Sequence, residues 1–130
     1  MADHPILIFQ YKGDWGKTKS FLKHILRRKT EAILQKYGKL GVGHLVEATP
    51  KDTGLTAASW DYHIERKGDD FRLVWTNSNV NRGIPIAILI QYGHGTTGGT
   101  YVEGRDYINP ALRPIFDQIA EELWKEVTDG

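Results

Sequence analysis

A chain of 130 residues with 40% hydrophobic and 25% charged residues is sized for one domain with a modest core, and its composition lies far from that of chains that stay disordered. With no cysteine it excludes a disulfide framework and thiolate metal sites, and it fits synthesis in a reducing cytosol. Apolar runs stay short of the roughly 18 residues a membrane-spanning helix needs, and Ile6 to Phe9 is too brief for a signal peptide, so neither membrane insertion nor export is expected.

Residues 1–17 read as an N-terminal arm. From Thr18 to Tyr37, Phe21, Leu22, Ile25, Leu26, Ile33, Leu34 and Tyr37 recur at steps of three and four, which predicts a helix with one apolar face. Gly38, Gly41 and Gly43 loosen the pattern while Leu40, Leu45 and Ala48 keep its spacing, so a kink and a second helical stretch up to Thr49 are expected. Pro50 ends that stretch, and residues 50–54, Pro-Lys-Asp-Thr-Gly, are turn formers. Trp60, Tyr62 and Ile64 alternate with polar residues, as do Phe71, Leu73 and Trp75, and the Lys67-Gly68-Asp69-Asp70 cluster between them predicts a β-hairpin.

The run from Ile86 to Tyr92 is almost continuously apolar and rich in β-branched residues, which predicts a central strand buried on both faces. Residues 93–101 form a glycine-rich segment expected to be a flexible loop. Leu112, Ile115, Phe116, Ile119, Ala120, Leu123 and Val127 define a closing amphipathic helix; Asn109-Pro110 offers a start, but Pro114 has no N–H to bond back to residue 110, so the regular helix is expected from 114. The order is that of one α+β domain spanning 1–130, with a long N-terminal helix, a small, mainly antiparallel sheet, and a C-terminal helix packed on it.

Net charge is only +1, but it is unevenly spread. Between Lys12 and Lys39 nine basic residues face two acidic ones, a local +7, whereas from Arg113 onward two basic residues face five acidic ones, a local −3. Such polarity suits either a polyanionic partner or basic-to-acidic contact between neighbouring subunits. Lys23, Arg27 and Arg28 are the candidate DNA contacts, which gives a nucleic-acid-binding module as the alternative reading.

Asp52-Thr53-Gly54 matches the catalytic triplet of aspartic proteases, but there the triplet leaves an apolar strand, and here it follows a helix end. Ser59 and His63 on one strand would stand roughly 13 Å apart, too far for a nucleophile and its base. The histidines at 4, 24, 44, 63 and 94 lack ligand spacing, and the 93–100 tract lacks the lysine and the following helix of a phosphate loop. No catalytic residue, metal or cofactor is expected.

Three segments, taken in order, resemble the tail-completion and head-tail joining family of long-tailed bacteriophages and prophages, whose members are minor tail components. The first runs from Ala48 through Pro50, Asp52, Thr53 and Gly54 to Thr56, after a long helix and before a strand. The second is Leu89-Ile90-Gln91-Tyr92-Gly93-His94-Gly95-Thr96, and the third is Asp106-Tyr107-Ile108-Asn109-Pro110-Ala111-Leu112. The chain departs from the common form in having His94-Gly95 before the threonines and a longer glycine tract. The resemblance implies a non-enzymatic structural protein, made in the bacterial host cytoplasm and carried in the virion at the neck, usually as a ring of identical subunits. Its implied partners are its own copies, a tail terminator or head connector, and the tail tube or tape-measure protein. Gly93, His94, Gly95, Thr96, Thr97 and Tyr101 are the expected contact residues, with Tyr101 as anchor.

Overall fold

The computed structural model describes residues 5–13, 20–51, 54–95 and 98–129. The fold is α+β: β1 (Pro5–Lys12), α1 (Ser20–Ala48), α2 (Gly54–Ala58), β2 (Trp60–Lys67), β3 (Asp70–Asn77), β4 (Val80–Asn81), β5 (Ile84–Pro85), α3 (Ile86–Tyr92), β6 (Gly93–Gly95), β7 (Tyr101–Glu103) and α4 (Ile108–Asp129). The main sheet has the order β1-β3-β2 and is antiparallel throughout, and β4–β5 and β6–β7 are separate two-stranded pairs.

The expected hairpin is β2–β3, with Lys67 opposite Asp70 and Gly68 at φ 62, the left-handed conformation its tight turn requires. Register sets which side chains share a face. Leu7 and Tyr62 both lie opposite Trp75, and Phe9 and Ile64 both lie opposite Leu73, so this row forms the face on which the helices pack. Phe71, Leu73 and Trp75 on the central strand are sealed, whereas Leu7, Phe9 and Tyr11 on the edge strand are half-buried. Within the segment 1–17 read as an arm, Pro5–Lys12 therefore supplies a sheet strand, while residues 1–4 and 14–17 lie outside the described residues. The alternation of Leu7, Phe9 and Tyr11 was the available signal.

The two expected helical stretches are one helix, unbroken from Ser20 to Ala48. Gly38 and Gly41 lie on its buried face, where the absence of a side chain lets the helix sit down on aromatic rings. A Cβ at Gly38 would overlap the Tyr62 ring, and one at Gly41 would lie 2.6 Å from Nε1 of Trp75. Trp75 in turn donates from Nε1 to the Gly38 carbonyl at 3.1 Å and stacks on Phe116 with ring centroids 5.7 Å apart. Gly43 faces open space. The apolar face expected of this helix is only partly inside: Leu34 and Leu45 are fully buried, but Phe21, Leu22 and Ile25 are 61%, 42% and 43% exposed.

Ile86 to Tyr92 is not a central strand but the short helix α3. Pro85 precedes it with an extended backbone, and Ala87 and Gln91, four residues apart, are its buried positions, while Tyr92 points outward. An apolar run this short carries no period of its own, and the contacts of Ala87 and Gln91 decide its conformation. The closing helix likewise begins earlier than residue 114. α4 starts at Ile108 because Oε1 of Gln91 accepts from the backbone N–H of both Tyr107 and Ile108, at 3.0 Å each, which caps the helix from a distant part of the chain. Pro114 is carried inside α4.

α1 and α4 pack antiparallel on one another: His44 lies beside Ala111, Lys36 beside Glu122 and Lys29 beside Glu126. Both cover the Trp75 face, and Ile115, Ile119 and Leu123 of α4 join Leu34, Tyr37 and Leu45 of α1 in one core cluster. No helix among the described residues is long and apolar enough to cross a membrane.

Candidate functional site

Polar contacts of Thr49 and Thr56 flank the turn motif after α1 on its two sides. Oγ1 of Thr49 donates to the Leu45 carbonyl at 2.6 Å and accepts from the indole N–H of Trp60 at 2.9 Å, so the end of α1 is tied to the start of β2. Thr56, buried in α2, accepts at its carbonyl from the amide of Asn77 and at its hydroxyl from the amide of Asn79. Pro50 is half-buried and Gly54 opens α2, while Asp52 and Thr53 lie outside the described residues. Ser59 donates to the Leu55 carbonyl and His63 pairs with Glu65 at 2.9 Å, so the two are engaged apart. The His63 bond, ahead of the nearby Arg72 charge, holds the Glu65 carboxyl below its ordinary pKa. Among the described residues no group of three His, Cys, Asp or Glu could hold a metal ion.

The second and third family-like segments meet at Gln91. Besides capping α4 it donates from Nε2 to Asp106 at 2.6 Å, and Asp106 also accepts from Asn109. Tyr107 reaches back to donate its hydroxyl to the Ala87 carbonyl at 2.9 Å, and burial pushes its phenol up to about 12. The sequence placed Gln91 in an expected apolar strand and in the second family-like segment, with no role of its own. A lone glutamine in an apolar run, 18 residues before Asn109-Pro110, was the available sign of a tertiary cap.

Between these anchors the glycine-rich segment is partly structured. Gly93, His94 and Gly95 pair with Glu103, Val102 and Tyr101 as β6 and β7, a correction to the flexible loop expected over 93–101. Gly93 takes φ 83, and a Cβ there would lie 2.6 Å from the Val102 carbonyl oxygen, so the base of this hairpin closes only around glycine. Tyr101 is 66% exposed and donates its hydroxyl to the Tyr92 carbonyl at 3.1 Å, and Tyr92 is 67% exposed beside it. His94 is half-buried with its Nδ1 unpaired. Thr96 and Thr97 lie outside the described residues.

Much of the basic charge of α1 is answered within the chain. Arg27 donates from Nε to Asp69 at 2.9 Å, which pins α1 to the β2–β3 turn; Lys29 pairs with Glu126 at 3.2 Å, and Lys36 with Glu122 at 2.9 Å. The Tyr37 hydroxyl also donates to Glu122 at 2.6 Å, and this bond, then that of Lys36, holds the Glu122 carboxyl below its ordinary pKa. Of the three candidate DNA contacts, Arg27 is thus engaged, Lys23 is half-buried and Arg28 is exposed.

Comparison with models of known protein families, with curated proteins and with solved structures finds no match in any of the three.

Proposed function

We propose that the chain is a structural virion protein of a long-tailed bacteriophage or prophage, acting in tail completion and head-to-tail joining at the neck. What supports the reading is the order of the three segments together with the use the fold makes of them. The residues of the second and third segments that give them their character, Gln91, Asp106, Tyr107 and Ile108, are spent on holding α3 against the start of α4. That anchor presents the β6–β7 hairpin with Tyr92 and Tyr101 outward, a surface suited to meeting another protein of the neck. The nucleic-acid reading rests on Lys23, Arg27 and Arg28, of which Asp69 already engages Arg27, and it is the less supported of the two. Electron microscopy of a lysate from phage lacking this chain tests the proposal. Separate filled heads and tails are expected, and normal joined virions would sink it.

A further inference from the structure

The three-stranded sheet has two outer edges, and they are not alike. Gly13 donates its backbone N–H to the Asp69 carbonyl at 3.0 Å in register with β1–β3, and Ser78 donates to the Ser59 carbonyl at 3.1 Å in register with β2–β3. In an antiparallel ladder every second residue of a strand bonds to a given neighbour, so the odd-numbered residues of β3 bond to β1 and the even-numbered ones to β2. Leu7, Phe9 and Tyr11 therefore turn their backbone groups to β3, whereas Ile8 and Gln10 turn theirs outward. On β2 the outward positions are Trp60, Tyr62, Ile64 and Arg66.

The β2 edge is blunted. Oδ1 of Asp61 accepts from the outward N–H of Tyr62 at 2.8 Å, Gly38 of α1 lies against the Tyr62 ring, and Glu65, Arg66 and Lys67 bring charge to the end of the strand. On β1 the comparable features are confined to its start, Pro5 and the irregularity before Leu7. From Ile6 to Tyr11 it carries no charge, and among the described residues β3 is its one strand neighbour. An apolar edge of this kind is a template for another strand.

A seam runs beside that edge on the helix side. Leu7, Phe9 and Tyr11 are half-buried, although Trp75, Leu73 and Phe71 across from them are sealed, because α4 does not close down on β1. Leu7 shares one depression of about 390 Å³ with Phe116, and Phe9 and Tyr11 share the next, of about 360 Å³, with Ala120 and Trp124. In a strand laid along β1, the residues opposite Leu7, Phe9 and Tyr11 are the ones whose side chains turn to the helix side and into this seam.

We infer that the open edge of β1 takes up an extended segment of another polypeptide, about six residues matching Leu7 to Lys12, apolar at the alternate positions that face the seam. The occupant is a strand because Ile8 and Gln10 present backbone donors and acceptors in the plane of the sheet. A helix, whose own N–H and C=O groups are spent internally, does not satisfy them. A second copy of this chain is the poorer occupant. Among its described residues it offers the blunted β2, strands of two or three residues that do not span the edge, or β1 itself, and β1 on β1 closes a pair where a ring must continue. That choice between partners rests on the neck reading and its ring; the open edge does not.

Random linear peptides displayed on yeast and sorted against the full chain supply the probe. Enriched sequences are expected to be apolar at every second position, and the best of them, made as a free peptide, to slow hydrogen exchange at the Ile8 and Gln10 amides. N-methylation of that peptide should abolish binding at one alternate set of residues and spare it at the other, since an added strand bonds its neighbour through every second amide. Gln10→Pro removes an outward N–H at an exposed position and no bond to β3, a place where a strand tolerates proline, and should weaken binding at least about tenfold. Thermal melting verifies that it folds, and Ala120→Arg, which fills the seam, is the second variant if it does not. No enriched peptide, N-methylation that acts alike at both sets, or a folded variant that binds like wild type would each overturn the inference. So would sedimentation equilibrium showing a dimer of the chain that Gln10→Pro abolishes, which would give the edge to a second copy. Phage that assemble normally without the chain would overturn the neck reading instead, and would leave measured strand binding standing.

Discussion

Replacing Gly41 by alanine sets helix propensity against packing, and the structure determines which wins. Alanine in a helix interior is favoured over glycine by about 1 kcal/mol. At Gly41 the added Cβ would lie 2.6, 2.7 and 2.8 Å from Nε1, Cζ2 and Cε2 of Trp75, closer than carbon atoms approach one another. The indole has nowhere to go, being fully buried, stacked on Phe116 and bonded to the Gly38 carbonyl. Overpacking a core costs about 1 to 3 kcal/mol, and if the indole N–H is pulled from its acceptor, about 1 to 3 kcal/mol more. Gly41→Ala should therefore destabilise by a net of about 1 to 5 kcal/mol where the indole bond is lost, and by no more than about 2 kcal/mol where it is kept. Gly43→Ala, two residues along the same helix, meets nothing within 4 Å and should stabilise by about 0.5 to 1 kcal/mol. Urea denaturation followed by tryptophan fluorescence measures both, and midpoints that move in opposite directions are the expected outcome. Equal stabilisation by the two alanines would show that α1 does not seat on Trp75 as described.

Gln91→Leu should lower the unfolding free energy by about 2 to 5 kcal/mol, since it leaves the Tyr107 and Ile108 N–H groups without their acceptor; an unchanged denaturant midpoint would refute the cap. Tyr107 has its folded pKa raised to about 12, above the unfolded value of about 10, so the stability it confers is fully present below pH 10 and is lost as pH rises through 12. Alkaline titration of stability should show that loss in wild type and less of it in Tyr107→Phe. Glu122 has the opposite sign: its folded pKa is lowered by the Tyr37 and Lys36 bonds, so its contribution is present above the ordinary carboxyl range and is lost as pH falls through the folded value. Acid titration of Glu122→Gln should lack that part of the decline, and a curve parallel to wild type would discount the Tyr37–Glu122 bond.

How much of this was legible in the sequence follows from what each element depends on. β2, β3 and most of α1 and α4 carry enough alternating or helical periods that local pattern and burial agree, and the turn at Gly68 announces itself by composition. α3 does not, because seven residues of Ile, Ala, Leu, Gln and Tyr satisfy a buried strand and a buried helix alike. The distinction lies in Gln91 finding two backbone donors at the start of α4, which is a fact about residues far along the chain. The same bond moved the start of α4 six residues ahead of the position Pro114 suggested, since a helix whose first N–H groups are capped from outside tolerates the loss of one interior bond. Charge behaved in the same way. The sequence shows a basic first half of α1 and an acidic α4, but whether they answer one another within a chain or between chains depends on the antiparallel packing of the two helices. That packing sets Lys29 against Glu126 and Lys36 against Glu122 and leaves Arg28 exposed, while on α4 itself Glu121 lies 3.9 Å from Lys125. The charge asymmetry is thus spent partly on the fold. The apolar pattern of α1 is likewise only partly spent on the fold, since Phe21, Leu22 and Ile25, which the periodicity assigned to the core, stay exposed.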